Sequence, residues 1–533
     1  MTEKNSKKKI SSETASVKRT LTIATMIMVG SVFLSRIMGL VREQVLAIYG
    51  GTHFEIDAYV TAFFIPELLN HFLAGGFLSV TFIPIYQRYL AKKDLAGGSA
   101  CFSNLVTIGS ALFAVMIPIA IYFTPEILGL MGSHIADAEH KAITVRLTRI
   151  ILPAQIFFYW GAFLSAVQMA HQRFFYPALA PLAYNLGIIL GGILLGPALG
   201  IEGFAWGVLA GALAGNFLLQ VPGAFRLGIK FSPRFNLKDP DLINYVRLTV
   251  PLIVGLGLTF SNEIFFRFFG SYLGEGGTAS INYALRTMMM VVAVFGQASG
   301  VAFFPFISKL AVEQQFKKMT SLLNTVLTKI VLYLIPLSGI MIVLAHEIIA
   351  VLFQHGKFNA ASTAATAPVL SIYLLGAFGF SAVMIINRSF YAMQNTMLPM
   401  IVSTLTAALS IPVYWFLSQA MGASGIALAA VIGMTAQFLV LYWVWLKRYH
   451  DRESTSHFYH VFLKSLMITL IGAGCCWGIK KLTTALVLGT EPMISNLIVL
   501  STASLSGLAV VFLLYELTGV QNFKESIKSL IRR

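Results

Sequence analysis

Apolar runs of about 20 residues recur along this chain, separated by short polar or Gly- and Pro-bearing breaks, and each is long enough to cross a bilayer as a helix. Fourteen spans are predicted, near 21–44, 57–90, 101–123, 142–169, 177–197, 201–226, 246–272, 279–309, 321–352, 362–391, 396–420, 424–446, 459–484 and 491–518. A β-barrel would instead alternate apolar and polar positions over about 10 residues. The predicted fold class is therefore an all-α polytopic membrane protein with about 14 transmembrane helices. The first run follows a polar, basic lead (Lys7, Lys8, Lys9, Lys18, Arg19) and lacks a small-residue cleavage site, so it reads as a span and not a cleavable signal.

Composition agrees. Of 533 residues, 57% are hydrophobic and 11% charged, and the mean hydropathy of +0.78 lies far above that of a soluble domain. The net charge of +16 would suit a nucleic-acid partner, but its placement argues for membrane topology instead. With the N-terminus in the cytoplasm, 28 of the 38 Lys and Arg fall on the cytoplasmic side, six on the opposite side and four within spans. That asymmetry predicts two cytoplasmic tails and an even number of spans. Cys101, Cys475 and Cys476 lie in apolar runs without metal-ligand spacing and read as buried small residues.

An internal repeat organises the spans. Gly75, Val80, Phe82, Pro84 and Arg88 recur as Gly296, Val301, Phe303, Pro305 and Lys309, an offset of 221. Ala170, Gln172 and Pro177 recur 222 residues on as Ala392, Gln394 and Pro399, and Gly200, Gly203, Ala205 and Gly211 recur as Gly422, Gly425, Ala427 and Gly433. The offset spans six helices, so spans 1–6 match spans 7–12 in the same orientation, a parallel pseudo-two-fold repeat of the kind that supports alternating access. The predicted organisation is a basic cytoplasmic tail (1–20), an N-lobe (21–226), a cytoplasmic linker (227–245), a C-lobe (246–447), spans 13 and 14 (448–518) as a candidate lipid-tail groove, and a cytoplasmic tail (519–533). The linker is marked by Pro222, Pro233 and Pro240.

Charges inside the spans are the candidate chemistry. Arg36, Arg42 and Arg286 lie in apolar stretches with few acids beside them. A charge at the bilayer centre costs roughly 2.5–3.5 kcal/mol, so a chain retains one where it faces a wet cavity or an anion. Arg36 and Arg42 would leave a continuous helix about 120° apart. Gly39 between them permits a bend toward one cavity; the alternative is that both snorkel to an interface. Guanidinium groups match phosphate oxygens bidentately, which suits a diphosphate. Arg286 either closes on the same group or forms a buried pair with an acid. Asp57 either caps the second helix or makes a gating salt bridge with Arg42. Glu263 and Arg267, at i, i+4, form a favourable helical pair and are candidates for ion or proton coupling. His71 is either a titrating group or, the favoured reading, a satisfied hydrogen-bonding histidine, and Lys357 reads as a solvated loop charge. No phosphate-binding P-loop, nucleophile elbow or His/Cys metal cluster appears, so neither an enzyme nor a metal site is predicted.

These residues resemble the MurJ (MviN) lipid II flippases of the MOP transporter superfamily. Ser35-Arg-Ile-Met-Gly-Leu-Val-Arg-Glu43 is similar to the family's first-span signature, with Asp57-Ala-Tyr following at its spacing. Arg173-Phe, Pro177-Ala-Leu-Ala-Pro181 and Asn185 resemble its fourth-to-fifth-span region. Phe353-Gln-His-Gly-Lys-Phe358 and Phe390-Tyr-Ala-Met-Gln-Asn-Thr-Met-Leu-Pro399 resemble two later motifs. The resemblance implies an alternating-access flippase that moves a lipid-linked peptidoglycan precursor across the bacterial cytoplasmic membrane. The family's important cavity arginines fall on Arg36, Arg42 and Arg286 and its important aspartate on Asp57. A further family arginine falls on Asn70, where this chain departs. His71 stands where basic residues are usual, and Glu67 where the family often has asparagine. The expected substrate-binding set is therefore Arg36, Arg42, Arg286, Asn70 and His71, with Asp57 and Glu67 as gating residues. No cofactor is expected; the drive would come from membrane potential or a monovalent cation. Expected partners are the lipid-linked oligosaccharide, membrane lipids and cell-wall synthesis proteins. The alternatives are a flippase for another polyprenyl-diphosphate oligosaccharide, an ion-coupled small-molecule exporter, or a non-transporting scaffold.

Overall fold

The computed structural model describes residues 30–31, 33–70, 77–130, 138–257, 261–487 and 491–520, and among them every regular element is helical. By contacts the chain divides into two compact units. One comprises the chain up to Tyr49 together with Ala58–Gly257; the other comprises Gly50–Asp57 and the chain from Leu258 onward. The short segment that joins the first two helices thus packs with the second unit.

The first unit contains α1 (33–50, ending at the junction), most of α2 (Phe54–Ala62), α3 (Phe64–Leu69), α4 (Phe77–Ala91), α5 (Leu95–Tyr122), α6 (Thr124–Leu130) and α7 (Ala138–Ile151). It continues with α8 (Ala154–Ala170), α9 (Phe175–Leu199), α10 (Glu202–Gly211), a π-helical stretch (Ala212–Leu218), α11 (Gln220–Phe225) and α12 (Pro240–Gly257). Small residues let two of its helices approach closely. A Cβ on Gly187 would come within 2.4 Å of the Gly211 backbone, and one on Gly191 within 2.5 Å of Gly207, so α9 and α10 approach at backbone distance. The π-helical stretch displaces carbonyls from the α ladder, and Gln220 answers it: its amide donates to Gly215 O at 3.2 Å and to Tyr176 O at 2.9 Å. Its side-chain oxygen accepts from Gln168 Nε2 at 2.9 Å, completing a buried polar cluster.

The linker is held by side chains. Ser99, Ser103 and Thr107 stand at i, i+4 and i+8 on α5 and form one stripe with Asn104 beside it. Lys230 N donates to Ser99 Oγ at 3.1 Å, Ser232 N to Ser103 Oγ at 3.1 Å and Arg234 N to Thr107 Oγ1 at 3.3 Å. Asn104 closes the ladder, accepting from Asn236 N at 2.8 Å and donating to Asn236 O at 3.0 Å. The extended segment so obtains from a helix face the partners that a neighbouring strand would give.

The second unit holds α13 (Ser261–Gly270), α14 (Gly277–Val292), a second π-helical stretch (Ala293–Gln297), α15 (Ala298–Val312), α16 (Phe316–Val343), α17 (Ala345–Phe353), α18 (Ala360–Leu375), α19 (Ala377–Ala392), α20 (Met397–Arg448), α21 (Arg452–Leu486) and α22 (Pro492–Leu517). The α21–α22 hairpin is anchored by a small core in which Ile340, Leu344, Cys476, Val499 and Ala503 are buried together. Beside it Lys480 Nζ lies 2.9 Å from Glu347 Oε2 and donates to Val343 O at 2.9 Å.

Backbone angles record the repeat. Gly200 (φ 58°, ψ −135°) and Gly422 (φ 58°, ψ −131°) share a conformation open essentially to glycine alone, and they stand 222 residues apart. Positive φ recurs in the same way at Gln172 and Gln394 (59° and 56°) and at Lys93 and Gln314 (57° and 54°). Among the described residues, nine helices are long and apolar enough to cross a membrane, or ten when α18 and α19, bent by 43°, count as one span. Predicted spans 21–44, 57–90 and 246–272 lie partly outside the described residues. The 52-residue α20 merges two predicted spans across Gly422, whereas the predicted span 57–90 breaks at Phe63 between α2 and α3.

Candidate functional site

Arg42 is held within the first unit. Its Nη2 lies 2.5 Å from Glu43 Oε1, and its Nη1 donates to Asn185 Oδ1 on α9 at 3.2 Å. Asn185 is fixed in turn by donating from Nδ2 to Pro181 O at 3.0 Å. The Glu43 side chain is 5% exposed and that of Arg42 21%, so charge and counter-charge are buried as a unit. Arg36 is exposed on the same helix, which runs through Gly39 without interruption. The two arginines thus occupy different surroundings: Arg42 is partnered inside the bundle and Arg36 lies at its surface.

In the second unit, Arg286 on α14 and Glu263 on α13 approach to 3.7 Å, with side chains 31% and 34% exposed. Glu263 thus lies within reach of the helix that follows its own. Arg267 is 3% exposed and its guanidinium lies over the Phe266 ring, 5.1 Å from the centroid.

Asp57 caps a helix, though not its own. Its carboxylate accepts from Gly276 N and from Ala279 N, each at 2.6 Å, and so satisfies free donors at the start of α14. Around it the Gly50–Asp57 segment is tied at several points. Tyr283 Oη donates to Gly51 O at 3.1 Å, the Thr52 and Ser362 hydroxyls meet at 2.7 Å, and Phe54 N donates to Glu275 Oε1 at 3.2 Å. Lys357, read from sequence as a solvated charge, stays 57% exposed but lies 3.8 Å from Glu55. The sequence carried a partial signal for this clasp, since Gly-Glu-Gly-Gly (274–277) precedes an apolar run as a helix start would.

Asn70 follows α3, half-buried, with its N–H directed to Pro66 O and Glu67 O. Glu67 lies in the first turn of α3, and His71 falls outside the described residues. Described side chains therefore gather into a buried Arg42–Glu43–Asn185 group, an Arg286–Glu263 pair, and the Asp57 clasp on the helix that carries Arg286.

The chain is similar to several known proteins. The sequence pattern of the family "Lipid II flippase MurJ" matches residues 46–497. The lipid II flippase MurJ of Burkholderia cenocepacia is 27% identical over 78% of this chain and 81% of its own. The probable lipid II flippase MurJ of Treponema pallidum is 25% identical over 87% and 89%. Among solved structures, a lipid II flippase MurJ in an inward closed conformation superposes with a TM-score of 0.76 at 24% identity, covering 92% of this chain and 98% of that one. An inward-facing multidrug resistance MATE family transporter of the MOP superfamily superposes at 0.65 with 15% identity over 78% and 98%, which shows a shared fold. With the family pattern running through both repeats and into α22, this chain belongs to the lipid II flippase MurJ family.

Proposed function

We propose that this protein carries lipid II from the inner to the outer leaflet of the bacterial cytoplasmic membrane by alternating access, as a transporter and not an enzyme. The observation that carries the reading is the family match over residues 46–497, in a chain that keeps guanidinium groups inside apolar helices. Arg36, Arg42 and Arg286 bind the diphosphate of the head group, with Asn70 and His71 contributing. Both tails are cytoplasmic, which puts the Gly50–Asp57 clasp at the outer end, where Asp57 holds the path closed and Glu67 assists the switch. The apolar tail stays in lipid along α21 and α22. Outward movement of an anion is downhill when the cell interior is negative, by about 2.3 kcal/mol per charge per 100 mV. Membrane potential, or a monovalent cation acting through Glu263 and Arg267, drives the cycle.

Asn70 and Glu67 support a second reading, a flippase for another polyprenyl-diphosphate oligosaccharide. Proteoliposomes loaded with labelled lipid II or with a different lipid-linked oligosaccharide separate the two by which head group reaches the far leaflet. In the same assay Arg36→Ala is expected to lower lipid II translocation by about ten- to a hundredfold, the loss of one charge-assisted phosphate contact. Wild-type translocation by that variant would remove Arg36 from the site.

A further inference from the structure

The Arg286–Glu263 pair is unfinished. At 3.7 Å it is too long for a hydrogen bond, whereas carboxylate and guanidinium in full contact stand about 2.7–2.9 Å apart. The Arg286 Nε is buried with no hydrogen-bond partner. A buried donor left open in this way calls for an explanation, and an acceptor arriving from elsewhere supplies one. The Glu263 carboxylate is a third exposed.

We propose that Glu263 is a resident counter-ion that competes with the cargo's diphosphate for Arg286. With the site empty, the carboxylate neutralises Arg286 at long range. An arriving diphosphate supplies oxygens to Nη and Nε together and pushes the carboxylate aside. When the head group faces the opposite side, return of Glu263 to the guanidinium weakens the arginine's hold and promotes release. Glu263 thus sets the balance between capture and discharge. The inference rests on the reading of this chain as a carrier of a diphosphate-linked lipid.

The test measures binding of a polyprenyl diphosphate to the full chain in nanodiscs, with the uncharged polyprenol as control, for wild type, Glu263→Gln, Arg286→Ala and the double variant. Glu263→Gln is expected to tighten diphosphate binding about tenfold, leave polyprenol unchanged and slow lipid II turnover at saturation. The tightening is expected to vanish when Arg286 is alanine. If wild type does not prefer diphosphate to polyprenol, the carrier reading itself fails. If wild type prefers it and Arg286→Ala weakens binding, but Glu263→Gln binds no tighter, the counter-ion role alone is overturned. Tightening that persists without Arg286 assigns the effect to Arg267 or to net charge and likewise overturns it. Glu263→Ser carries the same expectation where Glu263→Gln does not fold, and failure of both to fold would make Glu263 a stability residue.

Discussion

Arg42→Ala is expected to lower the stability of the first unit by about 3 kcal/mol, because it leaves the Glu43 carboxylate buried without this counter-charge. Asn185 loses a donor at the same time, which adds to the cost. The loss would appear as a fall in folded protein recovered in detergent and in the midpoint of thermal unfolding. The double variant Arg42→Gln, Glu43→Gln removes both charges in nearly the same volume and is expected to regain most of the lost stability. Its lipid II translocation should nevertheless stay at least about tenfold below wild type, because the guanidinium is still missing. A single variant as stable as wild type would mean that Glu43 is held by other groups. A double variant that translocates normally would make Arg42 purely structural.

Asp57→Ala is expected to have the largest effect on conformation. It removes two charge-assisted bonds of 2.6 Å from buried amides, each worth about 1.5–3 kcal/mol, and with them the cap on α14. A net loss of about 3 kcal/mol shifts the docked segment toward release by more than a hundredfold. Thr52→Cys, in a chain whose Cys101, Cys475 and Cys476 are replaced, reports this through its labelling rate with a membrane-impermeant thiol reagent. Asp57→Asn keeps one acceptor and should fall between wild type and alanine. An unchanged rate in Asp57→Ala would show that the hydroxyl and Glu275 contacts suffice to hold the segment.

The repeat was legible in the sequence because its offset is carried by glycines and turn residues whose backbone angles leave little choice. Gly200 and Gly422 are the clearest case, and the structure adds Lys93 and Gln314, which differ as side chains but share a positive φ. Span number was harder to read. Hydropathy does not distinguish a helix kinked at Gly422 from two separate helices, nor a span broken at Phe63 from a continuous one. Of the site, the arginines stood out as charges in apolar runs, but their partners did not. Glu43 adjoins Arg42 in sequence, and adjacent residues on a helix are ordinarily poor partners. Asn185 lies 143 residues away, on another helix. The target of Asp57 was hidden more deeply, since a helix-start acid normally caps its own helix. Ala279, whose amide it accepts, stands 222 residues on, at the offset of the repeat itself.

The side-chain ladder on α5 determines where this polypeptide could be severed and still reassemble from two pieces. A cut at the repeat boundary, near residue 227, would place Ser99, Ser103, Asn104 and Thr107 on one fragment and their backbone partners from Lys230 to Asn236 on the other. A cut near residue 258 keeps the ladder and α12 with the first fragment. Co-expressed fragments divided at the later point are therefore expected to associate and restore translocation, and those divided at the earlier one to do so poorly.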